Sequence, residues 1–217
     1  TPISHLASMH PDILLKILSK MKSDSIKRIM SQKNRSKDTL LHSLARTHPD
    51  KLLNVLSKMK SDSIESVMSQ KNRSGDTPLH SLSNFHPSKL LDILKTMKEI
   101  HKIMLIKNAS NETSLDYISS QNPNDILPNI LKLNTMDSTN SKIIYQEPFV
   151  NFLAKHNPDT LLKILNNMSQ NIIKELMVTP NKLGNNPIYS IAFNNPDKLL
   201  AVLETIPQDA ISSIMLI

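Results

Sequence analysis

Two kinds of regularly spaced side chain could do chemistry in this sequence: histidines, which could hold a metal ion or move a proton, and lysines, which could hold an anion. Of the eight histidines, His5, His42 and His80 read as one recurring position, occupied further along by Asp116, Asn151 and Tyr189. Every one of these side chains can hydrogen-bond, which suits a shared structural role. A metal site needs ligands converging on one point, and equivalent positions on neighbouring packed helices are about 10 Å apart, too far for one ion. His10, His48 and His86 each precede a proline and read as helix-end residues. Lys22, Lys60 and Lys98 form one ladder. Lys33, Lys71 and Lys107 form a second, each followed by Asn34, Asn72 or Asn108, with Arg35 and Arg73 adding charge. Aligned ladders make an electropositive stripe for an acidic protein, a nucleic-acid backbone or an anionic membrane face. Copying one solvated lysine along with its repeat produces the same pattern, and both readings stay open.

Other chemistry is excluded by type. There is no phosphate-cradling glycine loop, no His-Glu-x-x-His pair and no Gly-x-Ser-x-Gly elbow, so no catalytic, metal or cofactor residue is proposed. The two glycines, Gly75 and Gly184, sit at turns where a positive φ accounts for them. Without cysteine the chain has no disulfide or thiolate ligand, which suits a reducing cytoplasmic compartment. No apolar run approaches the roughly 18 residues of a membrane helix. Charge is uneven: residues 1–110 carry +10 and residues 111–217 carry −3, out of a net +7.

What positions these residues is a sixfold repeat. Thr1-Pro-Ile-Ser-His-Leu-Ala, Thr39-Leu-Leu-His-Ser-Leu-Ala and Thr77-Pro-Leu-His-Ser-Leu-Ser open three near-copies. Looser units open at Thr113, Pro148 and Asn186. Ten residues after each start stands a proline, at 11, 49, 87, 123, 158 and 196, with spacings of 38, 38, 36, 35 and 38. A period of this size signifies a solenoid, in which each unit buries its apolar face against its neighbours.

Residues 77–112 show one unit in full. Thr77 caps a short first helix with Pro78 at its first position. His86-Pro87 ends it and opens a second helix from Ser88 to about Met97, with Leu90, Leu91, Ile93, Leu94 and Met97 as its buried stripe. At the same joint, Asn157 and Asn195 offer cap chemistry, and Asp159 and Asp197 complement the helix dipole. A third helix follows. In the second unit Asp62 and Glu65 have capping-box spacing, and Ile64, Val67 and Met68 share a face. Ile26, Ile29 and Met30, then Ile172, Ile173, Leu176 and Met177, then Ile211, Ile214 and Met215 repeat that face. Nothing alternates with period two, so strands are not expected.

Asn72-Arg-Ser-Gly75-Asp-Thr77-Pro78-Leu79-His80 resembles the ankyrin-repeat signature, and Asn181-Lys-Leu-Gly184-Asn-Asn-Pro187-Ile188 resembles it again. The resemblance implies an all-α, right-handed helical-repeat solenoid of six ankyrin-like units of about 35–38 residues. It also implies that Thr1, Thr39, Thr77, His5, His42, His80, Gly75 and Gly184 are structural turn residues, the histidine tying the Thr-Pro turn together. These units are longer than ankyrin repeats, with a short third helix in place of the β-hairpin. Leu82 stands where ankyrin repeats have a small alanine, which holds the first helices further apart.

Three segments are expected: a basic, regular region over 1–112, a degenerate fourth unit over 113–147, and units five and six over 148–217. In the fourth unit Pro128 either kinks the second helix or lies in the first turn of one that starts late behind Asp125. The polar run Asn134 to Ser141 reads as a loop, either a hinge or a decayed repeat. Neither end carries a polar cap, so the chain reads as a piece of a longer protein.

The expected function is a non-enzymatic protein-interaction scaffold, a monomer meeting another protein with an acidic surface. Glycine-poor arrays rich in Lys, Asn, Ile and Ser resemble those of effectors that intracellular bacteria secrete into a host-cell cytosol. One alternative is backbone binding of nucleic acid by the basic half, which the 3% aromatic content disfavours because bases have no stacking platform. Another is a repeat domain of an enzyme whose catalytic domain lies outside these residues.

Overall fold

The computed structural model describes residues 6, 7, 9–121, 124–137, 145–181 and 183–215. Apart from one two-stranded hairpin they form short helices joined by tight turns. The chain divides into two compact units, residues 1–117 and 118–217. Thr1 and His5 lie outside the described residues. Counted back from Pro11, moreover, the place matching His42 and His80 is Ser4, so His5 stands one residue out of register.

The first compact unit contains α1 (Pro11–Ser19), α2 (Ser23–Met30), α3 (Leu40–Thr47), α4 (Pro49–Leu56), α5 (Ser61–Met68), α6 (Pro78–Phe85), α7 (Leu90–Leu94) and α8 (Ile100–Met104). A 3-10 turn, Pro87–Lys89, leads into α7. The second and third repeats thus each supply a first, a second and a third helix, and the first repeat a second and a third. Thr39 and Thr77 open α3 and α6 in extended backbone, with each hydroxyl accepting a backbone N–H one turn on. The first helices end where the next residue precedes proline, whose ring drives His48 and His86 out of helical geometry to φ −145° and −143°. Proline then occupies the first position of the second helix, where a missing N–H costs nothing.

Like helices of successive repeats pack together: α3 on α6, α1 on α4, α2 on α5. The seam is Leu40, Leu41, Leu44, Leu79 and Leu82 between first helices, with Leu52, Val55, Leu56, Leu90, Ile93 and Leu94 below them. Ile26, Met30, Ile64, Val67, Met68, Ile103 and Met104 bury the apolar face of the third helices. Each such side chain contributes about 1.5–3 kcal/mol of burial. The second helix of the third repeat is shorter than its stripe predicts, because its α-helical part ends at Leu94, and Leu91 is half-buried.

Helix α9 (Ser114–Gln121) runs across the division between the two compact units. The second unit continues with α10 (Leu127–Leu131), β1 (Asn134–Asp137), β2 (Tyr145–Pro148), α11 (Phe149–His156), α12 (Pro158–Leu165), α13 (Gln170–Met177), α14 (Pro187–Asn194), α15 (Pro196–Leu203) and α16 (Gln208–Met215). α11 packs on α14 and α12 on α15. Phe149, Leu153, Leu161, Ile164, Leu165, Ile173, Leu176 and Met177 form its core.

Four local expectations need correction. Asn134–Asp137 is a strand, not a loop, paired antiparallel with Tyr145–Pro148 in the register Asn134↔Pro148 to Asp137↔Tyr145. Cross-strand backbone bonds hold such a ribbon without apolar alternation, so periodicity gave no sign of it. The rest of the expected loop, residues 138–141, lies outside the described residues. In α5 the helix begins two residues earlier than the capping-box spacing requires, behind Lys60, so Asp62 lies in the first turn and is not its cap. At the joints, Asn157 and Asn195 adopt φ −150° and −142° and do not cap the helices they precede. Asn195 instead donates its amide to the carbonyls of Ala154 (3.1 Å) and Lys155 (2.8 Å), at the end of α11. Pro128 follows the late-start reading: α10 begins at Leu127 and holds Pro128 in its first turn, with Ile126 and not Asp125 at the cap.

Candidate functional site

One asparagine organises the turn between a third helix and the next first helix. Asn34 Oδ1 accepts the N–H groups of Ser36 (2.9 Å) and Asp38 (3.0 Å). Asn72 does the same for Ser74 and Asp76, Asn108 for Ser110 and Glu112, and Asn181 for Leu183 and Asn185. Three residues after each asparagine the backbone is left-handed: Lys37 at φ 58°, Gly75 at 78°, Asn111 at 63° and Gly184 at 83°. Glycine marks only two of these four positions.

Each turn is then bonded to its neighbour. Asn72 Nδ2 donates to Asp38 Oδ1 and Asn108 Nδ2 to Asp76 Oδ1, both at 2.9 Å. Arg46 closes on Asp38 Oδ2 at 2.7 Å. Burial pushes the Asp38 carboxyl up, but the hydrogen bonds from Arg46 and Asn72 outweigh it and hold the group below the usual carboxylate range. The histidines complete the joint. His42 Nδ1 accepts the Thr39 N–H (3.1 Å), which fixes the tautomer, so Nε2 carries the proton and donates to the Asp76 carbonyl at 2.9 Å. His80 repeats this with Thr77 (3.1 Å) and the Glu112 carbonyl (3.1 Å). Burial lowers the affinity of both rings for a second proton. Asn151 makes the same reach, Nδ2 donating to the Thr179 carbonyl at 2.9 Å, and Asp116 accepts from the Thr113 N–H at 2.7 Å.

One of the two lysine ladders belongs to this structural joint. Lys33 Nζ donates to the Lys71 carbonyl (2.8 Å) and Lys71 Nζ to the Lys107 carbonyl (2.7 Å). Arg73 donates to the Arg35 carbonyl at 3.0 Å. Lys33, Arg35, Lys71, Arg73 and Lys107 are all exposed.

The other ladder is placed differently. Lys22 and Lys60 stand in extended backbone just before α2 and α5, and Lys98 stands two residues before α8. All three are exposed, and none of the ion pairs among the described residues involves them. Between α1 and α4 lies an open cleft of about 330 Å³ lined by Leu15, Lys16, Ser19, Asn54, Ser57 and Lys58. The second compact unit forms a cleft of about 370 Å³ between the corresponding helices, α12 and α15. There Glu204 and Thr205 stand where the first cleft has Ser57 and Lys58. Two equivalent grooves therefore differ in charge.

A further set of residues escaped sequence reading. Lys51 pairs with Asp12, Lys89 with Asp50 at 2.8 Å and Lys198 with Asp159 at 2.8 Å. Each lysine stands two places after a joint proline and each aspartate one place after the preceding one. A fixed acid-base offset of 39 residues was the available signal. His86 Nε2 donates to the Arg46 carbonyl at 2.8 Å across the same joint. On α14 and α15, Tyr189, Phe193 and Leu200 are exposed, and the Tyr189 and Phe193 rings stack with centroids 6.2 Å apart.

No protein-family model matches this chain, and no curated protein matches it. Among the described residues, no group of histidine and carboxylate side chains could hold a metal ion, and no helix is long and apolar enough to cross a membrane.

Proposed function

We propose that this chain is a protein-interaction scaffold, a right-handed solenoid of ankyrin-like repeats whose basic half meets an acidic surface of another protein. The ankyrin-like reading draws support from the threonine-capped first helices, the histidine bond to the next turn and the left-handed residue three after the asparagine. The observation that carries the interaction reading is the Lys22, Lys60 and Lys98 ladder. These cations recur at one repeat position, are exposed and join no ion pair among the described residues, whereas Lys33 and Lys71 are engaged by backbone carbonyls. Cations held by the fold stabilise it, and cations held by nothing are available to a partner. The chain acts in a cytosol, without catalysis of its own.

The test uses the 217-residue chain as bait beside a variant carrying Lys22→Glu, Lys60→Glu and Lys98→Glu. A protein retained by the first, lost from the second and then shown to bind as a purified pair supports the proposal. Identical retained sets, or none, overturn it.

A further inference from the structure

The asparagines that organise the turns stand in a sequence pattern with a second meaning. Asn34-Arg-Ser36, Asn72-Arg-Ser74 and Asn108-Ala-Ser110 each read Asn-x-Ser, the acceptor pattern for an N-linked glycan. Asn111-Glu-Thr113 and Asn167-Met-Ser169 carry the same pattern. We infer that Asn72 and Asn108 accept such a glycan while the chain is unfolded, and that a glycan there keeps successive repeats from joining. The chain then folds only in a compartment without that modification. Neither the lysine ladder nor any partner enters into this.

The pattern ordinarily marks an exposed loop, but Asn72 and Asn108 are half-buried and both ends of each amide are in use. Asn72 Oδ1 holds the Ser74 and Asp76 N–H groups, while Nδ2 donates to Asp38 Oδ1 at 2.9 Å. Asn108 Nδ2 donates to Asp76 Oδ1 at 2.9 Å and to the Tyr117 hydroxyl at 3.2 Å, so neither of its two amide hydrogens is spare. Glycosylation joins Nδ2 to the anomeric carbon of an oligosaccharide carried on a lipid pyrophosphate. The bond from that carbon to the phosphate oxygen breaks, the pyrophosphate leaves with the electron pair, and one amide proton passes to a base. The product has one N–H where there were two. It also has a sugar carbon about 1.45 Å from a nitrogen that must lie 2.9 Å from an aspartate oxygen of the preceding turn. Asn108 must then give up one of its bonds, and a sugar ring must enter the seam where two turns meet. Asp38, only 7% exposed, loses a donor it cannot replace from solvent. Once the turn has closed, its amide is no longer free to react, so transfer and folding compete for one nitrogen. Asn111 and Asn167 are exposed, and a glycan on either stays out of that seam.

The turn at Asn181 shows how to test this. It makes the same two bonds with Leu183 in the place of Ser36, Ser74 and Ser110, so the turn does not need the hydroxyl that completes the acceptor pattern. Ser36→Ala, Ser74→Ala and Ser110→Ala together remove three acceptor patterns and keep every turn asparagine. The 217-residue chain and this triple variant are each sent, behind a cleavable secretion signal, into the endoplasmic reticulum of a eukaryotic cell. Each product is compared with the same chain made in a bacterial cytosol. Mass spectrometry identifies the occupied asparagines, and urea unfolding followed by circular dichroism reads the fold. The wild-type chain from the reticulum should carry glycans at Asn72 and Asn108 and lose the cooperative transition of its cytosolic form. The triple variant, modified at Asn111 and Asn167, should keep its own. Bare Asn72 and Asn108 in the wild-type product would overturn the inference. So would a wild-type chain that keeps its transition with both occupied, or an equal loss in the two chains. None of these results touches the lysine ladder, which the capture experiment reads separately.

Discussion

The imidazole of His80 joins two repeats: Nδ1 takes the Thr77 N–H at 3.1 Å, and Nε2 gives its proton to the Glu112 carbonyl, also at 3.1 Å. His42 does the same between Thr39 and Asp76. Each ring is at once the N3 residue of a capping box and the tie to the following turn.

Replacing His80 by alanine strands the Thr77 N–H and the Glu112 carbonyl, and should cost about 2–3 kcal/mol of unfolding free energy. His80→Asn should cost less, because Asn151 reaches the next turn from that position in the second compact unit. Urea unfolding followed by circular dichroism measures both. Equal losses would mean that the bond to the next turn contributes little.

Acid should loosen the joints. A proton added at Nδ1 would face the Thr39 or Thr77 N–H, and burial already holds both rings below their ordinary 6.5. Below that value the unfolded chain binds more protons than the folded one. The stabilisation is therefore complete above about 6.5 and is lost as pH falls through and beneath it. Asp38, held below its ordinary 3.8, loses its contribution in the same direction in a more acid window. The urea midpoint should drop on acidification in the wild-type chain and drop less in the His42→Asn, His80→Asn double variant.

Asn72→Asp isolates one bond. The oxygen that caps Ser74 and Asp76 survives, but the amide that donates to Asp38 becomes a second carboxylate oxygen about 2.9 Å from it. We expect a loss of about 2–3 kcal/mol near neutral pH from like charge and a missing donor. Mild acid should reduce that loss by protonating one partner, opposite to the wild-type trend. A loss that does not change with pH would remove the charge explanation.

The left-handed position after each turn asparagine gives an ordered series. Gly75→Ala places a Cβ 2.7 Å from the Ala109 backbone nitrogen and must shift that backbone. Gly184→Ala meets nothing within 4 Å and bears only the conformational cost, about 1 kcal/mol. Lys37→Gly should stabilise by a similar amount, about 1 kcal/mol, because a lysine already holds φ 58° there. Thermal unfolding should rank Lys37→Gly above wild type, then Gly184→Ala, then Gly75→Ala.

That series also shows where sequence reading stops. Gly75 and Gly184 announce a positive φ, but Lys37 and Asn111 adopt it unannounced, held there by the asparagine three residues earlier. Helix starts were legible because Thr77-Pro78 and His86-Pro87 carry their own chemistry. The lysine ladders were legible as ladders and not as to role: the difference between Lys33, which reaches a carbonyl, and Lys22, which pairs with no carboxylate, arises only when turns 38 residues apart meet. The hairpin Asn134–Asp137 with Tyr145–Pro148 was hidden because its backbone pairing imposes no apolar pattern.

The ion pairs and the asparagine–aspartate bonds between repeats join unlike positions. Asp50 receives Lys89 while its neighbour Lys51 reaches Asp12, and Asn72 donates to Asp38 while Asp76 receives Asn108. Every regular repeat therefore carries both halves of each fastening. A gene segment encoding one whole 38-residue period, duplicated in frame between the second and third units, would find both of its neighbours ready-made. An insertion that is not a whole period would leave donors and acceptors unmatched on both sides. Recombination in complete periods thus lengthens or shortens such a chain without loss of these bonds, and three near-identical opening units are what it leaves behind.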